Sequence, residues 1–153
     1  LYGSTTEEDR GYEKKLRDMI VKYGLEESVS FGGSVTQTEL PSELAKQHVS
    51  VNLTPTGGLD KSVIESAAVG VPVITTNDAY SEFFGELKND FVIPFQDSEA
   101  LAAALRQYQN KSVEQQALLS EQLKSIASIF DIGTLIPKML MRLRKRSKEH
   151  NRV

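Results

Sequence analysis

The sequence predicts an α/β fold with a doubly wound, parallel sheet. Three observations predict it. Strand-like and helix-like segments alternate as far as residue 97, polar loops rich in glycine follow the strand-like segments, and only helical patterns remain after residue 97. Such alternation implies parallel pairing with right-handed crossovers. At 153 residues the chain is long enough to bury a core, and a single domain is expected.

The elements follow in order. Leu1-Tyr2 ahead of Gly3-Ser4-Thr5-Thr6 reads as the end of a strand that leaves through a polar loop. From residue 8 to 23 the apolar side chains Tyr12, Leu16, Met19, Ile20 and Tyr23 recur at helical spacing, and Gly24 supplies the stop. Val29-Ser30-Phe31 reads as a short strand running into Gly32-Gly33. A helix is expected over about residues 38–47, with Pro41 tolerated in its first turn. Residues 49–53 form the next strand. Thr54-Pro55-Thr56-Gly57-Gly58 then leads into a helix that ends near Val69, where Gly70 and Pro72 stop it. Val73-Ile74-Thr75 is again a strand, a helical turn is expected at residues 80–84, and Phe91-Val92-Ile93 is the last strand. Beyond it lie an alanine-rich helix at 100–109 and a helix reaching 130. Ser112 and Gln115 have the spacing of a capping box ahead of the second. A final helix is expected over about 134–148.

Composition removes several function classes. There is no cysteine, hence no disulfide framework and no thiolate metal site, which suits a reducing compartment such as the cytoplasm. The longest apolar run, residues 67–74, is interrupted by Gly70 and Pro72 and falls well short of the roughly 18 residues that suggest a membrane span. Of the two histidines, His48 is expected in packing or at the surface and His150 in a frayed tail, so no transition-metal cluster is expected. The tyrosines at 2, 12, 23, 80 and 108 are scattered and read as core edges rather than a base-stacking platform. Charge is uneven. Residues 138–152 carry a net +6 and the remainder −9, within an overall −3. An acidic body argues against nucleic-acid binding. The basic tail is read either as solvated, as crossing to another domain, or as meeting anionic lipid. The chain begins at Leu1 rather than methionine, and is expected to be an excised piece of a longer protein.

In open α/β sheets ligands bind beyond the carboxyl ends of the strands. That rule selects the loops at 32–36, 54–60 and 76–81, all expected on one rim. Gly57 and Gly58 let backbone approach a ligand closely. The helix behind them offers unpaired N–H groups from Leu59 to Val63 and a partial positive charge, both suited to phosphate, and Lys61 adds a full charge. Glu65 lies four residues beyond Lys61 on the same side of the helix, placed to accept hydrogen bonds from ribose hydroxyls. Gly32 and Gly33 offer backbone against which a flat base could lie. The plainer reading stays open beside this one: glycines are common before α/β helices, and Glu65 could be solvated or salt-bridged. Neither a G-x-x-x-x-G-K-[ST] phosphate loop nor a G-x-G-x-x-G fingerprint is present.

Taken together, several segments resemble the C-terminal, donor-binding domain of GT-B-fold glycosyltransferases, specifically glycosyltransferase family 4, the "group 1" glycosyl transferases. They are Tyr12-Glu13-Lys14-Lys15-Leu16 to Tyr23-Gly24-Leu25, Val29-Ser30-Phe31-Gly32-Gly33 with Glu39-Leu40-Pro41, Val51-Asn52-Leu53-Thr54-Pro55, and above all Asp60-Lys61-Ser62-Val63-Ile64-Glu65 through Ile74. The resemblance implies a Rossmann-like, N-terminally truncated nucleotide-sugar-binding domain over residues 1–130, and a C-terminal helix with a basic tail over 131–153. It implies that Glu65 holds the nucleotide ribose, that backbone at Ser62 and Val63 faces the nucleoside and diphosphate, and that Gly32 and Gly33 lie beside the base. The donor sugar and diphosphate would be held by Gly57, Gly58, Leu59, Asp60 and Lys61. The family's first glutamate would fall at Gly57, so the sugar would be held by Gly58–Lys61, with Asp60 as a replacement carboxylate, or by a residue elsewhere. Asp78-Ala79 stands where the family has paired glycines.

The resemblance further implies a retaining glycosyltransferase of hexosyltransferase type that moves sugar from a nucleotide-diphospho-sugar to a saccharide or lipid-linked acceptor. No cofactor or metal is expected. The acceptor site and the basic residues that neutralise the diphosphate would precede Leu1, so the chain alone is expected to be inactive. Two rival readings stand beside it: a non-catalytic sugar-nucleotide-binding or partner-docking module, because of Gly57, and a GT-B-like sugar-nucleotide epimerase.

Overall fold

The computed structural model describes residues 1–3, 7, 9–131 and 133, and the chain divides into two compact units, Leu1–Glu43 and Leu44–Val153. The final helix expected at 134–148 and the basic tail lie outside the described residues.

In the first unit, helix α1 spans Arg10–Lys22. Its end is closed by the Gly24 N–H donating to Val21 O (3.1 Å) and the Leu25 N–H donating to Ile20 O (2.9 Å). This crossed pair satisfies two carbonyls the helix cannot. The helical spacing is as expected, yet α1 has no buried residue: Leu16 and Ile20 are partly covered while Tyr12, Met19 and Tyr23 are exposed. The expected strand at 29–31 is reduced to one parallel bridge between Tyr2 and Gly33. It is supported by Gly32 N–H to Leu1 O (2.7 Å) and Gly3 N–H to Gly33 O (2.8 Å). Helix α2, Leu40–Leu44, is shorter than expected and follows a turn in which Glu39 accepts from both the amide and the hydroxyl of Thr36 (3.2 and 2.6 Å). Those donors hold the Glu39 carboxyl below its ordinary pKa.

The second unit contains the sheet and the core. Strands β1 (Ser50–Asn52) and β2 (Val73–Thr75) pair in parallel, with Ser50 opposite Val73 and Asn52 opposite Thr75. Helix α3, Lys61–Ala68, is the crossover between them. Gly70 ends it with φ +79°, the Gly70 N–H donating to Ala67 O (3.0 Å) and the Val71 N–H to Ser66 O (3.0 Å). Val73 and Ile74 are buried, while Val51 on β1 is exposed. On the far side of β2, Thr75 bridges to Val92, and Ile93 N–H donates to Thr75 O (2.9 Å). The last expected strand is thus a single bridge, because Phe91 is the final residue of helix α5 (Lys88–Phe91). Helix α4, Ser81–Phe84, precedes it, framed by single 3-10 turns at Asp78–Tyr80 and Gly85–Leu87.

Helix α6 (Ser98–Gln109) is capped by the Asp97 carboxylate, which accepts from Ala100 N–H at 2.9 Å. Helix α7 (Val113–Ala127) opens on the expected capping box, Ser112 Oγ taking the Gln115 N–H while Gln115 Oε1 takes the Ser112 N–H. α3 packs on α7, so Val63 and Ala67 meet Leu119, Leu123 and Ala127 in one core with Val73, Ile74, Phe84 and Phe91. Burying side chains of this size contributes about 1.5–3 kcal/mol each. It is this core that fixes where α3 begins.

Candidate functional site

The loops after β1 and β2 meet beyond the carboxyl ends of the strands, as expected for 54–60 and 76–81. Threonine and asparagine side chains join them. Thr76 Oγ1 donates to Thr54 O (2.8 Å), and Thr56 Oγ1 accepts from Asp78 N–H (3.3 Å). Asn77 is fully buried and its Nδ2 donates to Gly58 O (2.8 Å) and Asp60 Oδ2 (3.0 Å). Its Oδ1 accepts from Ala79 N–H (3.2 Å), which starts the next turn. Below, Asn52 Oδ1 accepts from Thr54 and Thr75 hydroxyls (2.8 and 3.2 Å), and its Nδ2 donates to Ser62 Oγ (3.1 Å). The Thr-Pro-Thr segment is therefore the fastening of the loop rather than contact surface for a ligand.

Asp60 occupies the N-cap position of α3, where a carboxylate would normally accept from the helix's own amides. It does not. Its Oδ2 instead receives Thr54 Oγ1 (2.5 Å) and Asn77 Nδ2, and its carbonyl receives the Tyr80 hydroxyl at 2.6 Å. Burial, with the Asp60 charge adding to it, pushes the Tyr80 hydroxyl above its ordinary pKa, so it stays a donor at neutral pH. The carboxylate expected to hold a donor sugar thus already has a use within the protein. The consequence is an uncapped helix. Val63 N–H turns back to Asp60 O (3.1 Å), but the Lys61 and Ser62 N–H groups have no acceptor among the described residues.

The other sequence-selected residues fall into place around that opening. Gly57 has φ +134°, a conformation side-chain-bearing residues rarely adopt, and a Cβ on Gly57 or Gly58 would meet nothing within 4 Å. Lys61 is exposed and forms no ion pair among the described residues. Glu65, one turn further along α3, is partly buried, and its carboxylate has neither a hydrogen-bond nor an ion-pair partner among them. The salt-bridged alternative for Glu65 is not what the structure contains. Val63 contributes a wholly buried side chain to the core. Gly32 and Gly33 belong to the first unit. There the ring of Tyr2 fills the space a Cβ on Gly32 would need, while Gly33 (φ +68°) has nothing within 4 Å of that position.

Gly57, Gly58 and Leu59 line a pocket of about 510 Å³ with Ala79, Tyr80, Glu82, Phe83, Ile129 and Phe130. Sequence reasoning did not find this pocket. Phe83, Ile129 and Phe130 carry no motif, and only the fold brings residues 129–130 beside the Gly57 loop. Nor did it find Asn52 and Asn77, although Asn at a strand-to-loop boundary is a recognisable signal for side-chain-to-backbone bonding. Among the described residues no group of three His, Asp or Glu side chains could hold a metal ion, and no helix is long and apolar enough to cross a membrane.

An open helix start and a pocket beyond the carboxyl end of a parallel strand pair are features of an open α/β domain, placed where such sheets bind their ligands. The comparisons with known proteins name its family. Residues 2–125 match the family model for glycosyl transferases group 1, and the chain belongs to that family. Its fold is that of GT-B glycosyltransferase structures. One is HepE of Anabaena, crystallised in complex with UDP and glucose, at TM-score 0.80 and 22% identity over 95% of this chain. Another is sucrose-phosphate synthase from Thermosynechococcus elongatus, at TM-score 0.78 and 19% identity over 96%. The chain spans 40% and 38% of those two proteins. No curated protein matches it in sequence.

Proposed function

We propose that this chain is the donor-binding part of a retaining glycosyltransferase of family 4, which transfers a hexose from a nucleotide-diphospho-sugar to a saccharide or lipid-linked acceptor. The observation that carries the reading is the uncapped start of α3. The Asp60 carboxylate is held by Thr54 and Asn77, which leaves the Lys61 and Ser62 amides available at the start of the helix that follows the pocket-lining Gly57–Leu59 loop. A diphosphate placed there gains two N–H donors, the helix dipole and the Lys61 ammonium, without competition from a protein carboxylate. The chain's own groups thus supply the charge that binds the leaving group. Glu65, partly buried and unpartnered, accepts from the two ribose hydroxyls. Membership in the group 1 family and the fold shared with a protein that binds UDP and glucose support the same substrate class. The reaction is placed in the cytoplasm, without a metal cofactor.

A second reading has one observation in its favour. Gly57 has no side chain to offer a sugar hydroxyl, and its φ of +134° disfavours one, so the domain would bind a sugar nucleotide without turning it over. Calorimetric titration of the full-length protein with UDP- and GDP-sugars tests the first reading. Glu65→Ala is expected to weaken binding roughly 10- to 100-fold, the loss of one or two hydrogen bonds to a charged group. Unchanged affinity in that variant would remove Glu65 from the site. Product formation with a defined acceptor excludes the second reading, and sugar inversion without any acceptor would identify an epimerase instead.

A further inference from the structure

Of the side chains that line the 510 Å³ pocket, only Tyr80 and Glu82 carry polar groups. The Tyr80 hydroxyl already donates to Asp60 O at 2.6 Å. Glu82 is exposed and makes no hydrogen bond or ion pair with any described residue. It is therefore the one ionisable side chain of this lining with its full hydrogen-bonding capacity available to a ligand. The same lining includes the Phe83 and Phe130 rings, with centroids 5.6 Å apart, together with Leu59 and Ile129. An apolar wall with one convergent acceptor is the usual make-up of a small-ligand site, and a volume of this size accommodates a hexose.

We propose that Glu82 is a specificity-determining residue that reads the hydroxyl groups of the donor's sugar in this pocket. The assignment rests on the nucleotide-sugar reading above, and electrostatics orients the ligand within it. A diphosphate finds donors at the Lys61 and Ser62 amides and the Lys61 ammonium, whereas Glu82 offers only an acceptor. A neutral sugar ring has C–H faces for the aromatic wall and O–H donors for a carboxylate, and fits the other end. Gly57 and Gly58 line the pocket on the side of the loop that leads to α3, with nothing within 4 Å of their absent Cβ atoms. Asp60 does not compete for this role, since its carboxylate is bonded to Thr54 and Asn77.

The test is a binding difference measured on the full-length protein. UDP and GDP are titrated free and as their glucose and mannose esters, against wild type, Glu82→Ala and Glu65→Ala, with thermal melting to confirm that each variant is folded. Glu82→Ala is expected to weaken the preferred sugar nucleotide about tenfold and leave the free nucleotide unchanged, whereas Glu65→Ala weakens both. Glu82→Gln, which keeps one carbonyl acceptor, should fall between wild type and Glu82→Ala. Equal affinity of wild type and Glu82→Ala for the sugar nucleotide overturns the assignment while leaving the nucleotide reading standing. So does an equal loss for free and esterified nucleotide, because that loss does not depend on the sugar. If wild type binds none of the ligands, the nucleotide reading fails and this assignment fails with it.

Discussion

Asn77 shows how much of the site depends on one buried amide. It carries a donor to Gly58 O, a donor to Asp60 Oδ2 and an acceptor for Ala79 N–H, with no solvent contact. Removing it leaves the Gly58 carbonyl and part of the Asp60 carboxylate without a donor, at a cost of about 1–3 kcal/mol. It also releases Asp60 to turn toward α3 and cap it, which closes the anion seat. Asn77→Ala is therefore expected to lower stability in urea denaturation by that amount and to weaken nucleotide affinity as well. Asn77→Asp should be worse at neutral pH, since it sets a second carboxylate where Asn77 Nδ2 now stands 3.0 Å from Asp60, and it should recover as acid protonates the pair. Stability of Asn77→Asp equal to wild type at pH 7 would show that the Asp60 anchor is dispensable. Residues of this kind were only half legible in the sequence. Gly57, Gly58 and Glu65 stood out because special backbone freedom and charge on a helix are visible locally. Asn52 and Asn77 did not, because the partners that fasten them to α3 and its preceding loop and to β2 lie 10 to 23 residues away along the chain.

Among the elements, the stops and caps written in local chemistry were read from the sequence, and so were the paired strands β1 and β2, but the lengths of α2 and of two further strands were not. The stop at Gly24, the stop at Gly70 and the capping box at Ser112 and Gln115 are each written within six residues. Gly70 also shows why such a stop is hard to replace. Besides its φ of +79°, a Cβ there would collide with Ser120 on α7, so the same glycine ends α3 and admits its packing partner. The strands expected at 29–31 and 91–93 shrank to single bridges, the second because Phe91 is the last residue of α5. In α1 the apolar periodicity identified the helix but carried no information on what covers its face. The capping box is the element-scale prediction. Ser112 Oγ also donates to Glu114 at 2.7 Å and holds its carboxyl below the ordinary value of 4.5. A depressed folded-state value contributes stability above the unfolded pKa and loses it as pH falls through the folded one. Ser112→Ala should cost about 1 kcal/mol at neutral pH, seen as a lower Tm, and somewhat less in acid once Glu114 is protonated. An unchanged Tm would mean that the first turn of α7 is held by packing alone.

For the whole molecule, the decisive quantity is how much of the reaction the described groups can perform. On the reading proposed above they provide a seat for diphosphate at α3, an acceptor for ribose at Glu65, and a pocket with one carboxylate for the sugar, all of which would bind the donor. Sugar transfer also requires an acceptor hydroxyl held in line with the anomeric carbon and water kept out, and orientation of that kind accounts for a large part of an enzyme's rate. The chain spans 40% of HepE, so comparable proteins have more than half their length with which to supply those functions. The 153-residue chain by itself is therefore expected to bind the preferred nucleotide, with Glu65→Ala weakening that binding, yet to release no sugar to acceptor or water. The full-length protein is expected to turn over. Side-by-side calorimetry and radiolabelled-sugar transfer on the two, each first shown by circular dichroism to be folded, make the comparison. Transfer by the shorter chain would place an acceptor-orienting group among residues 1–153. Nucleotide binding by the full-length protein alone would show instead that the α3 seat needs charges from elsewhere, and that Lys61 and two amides do not suffice.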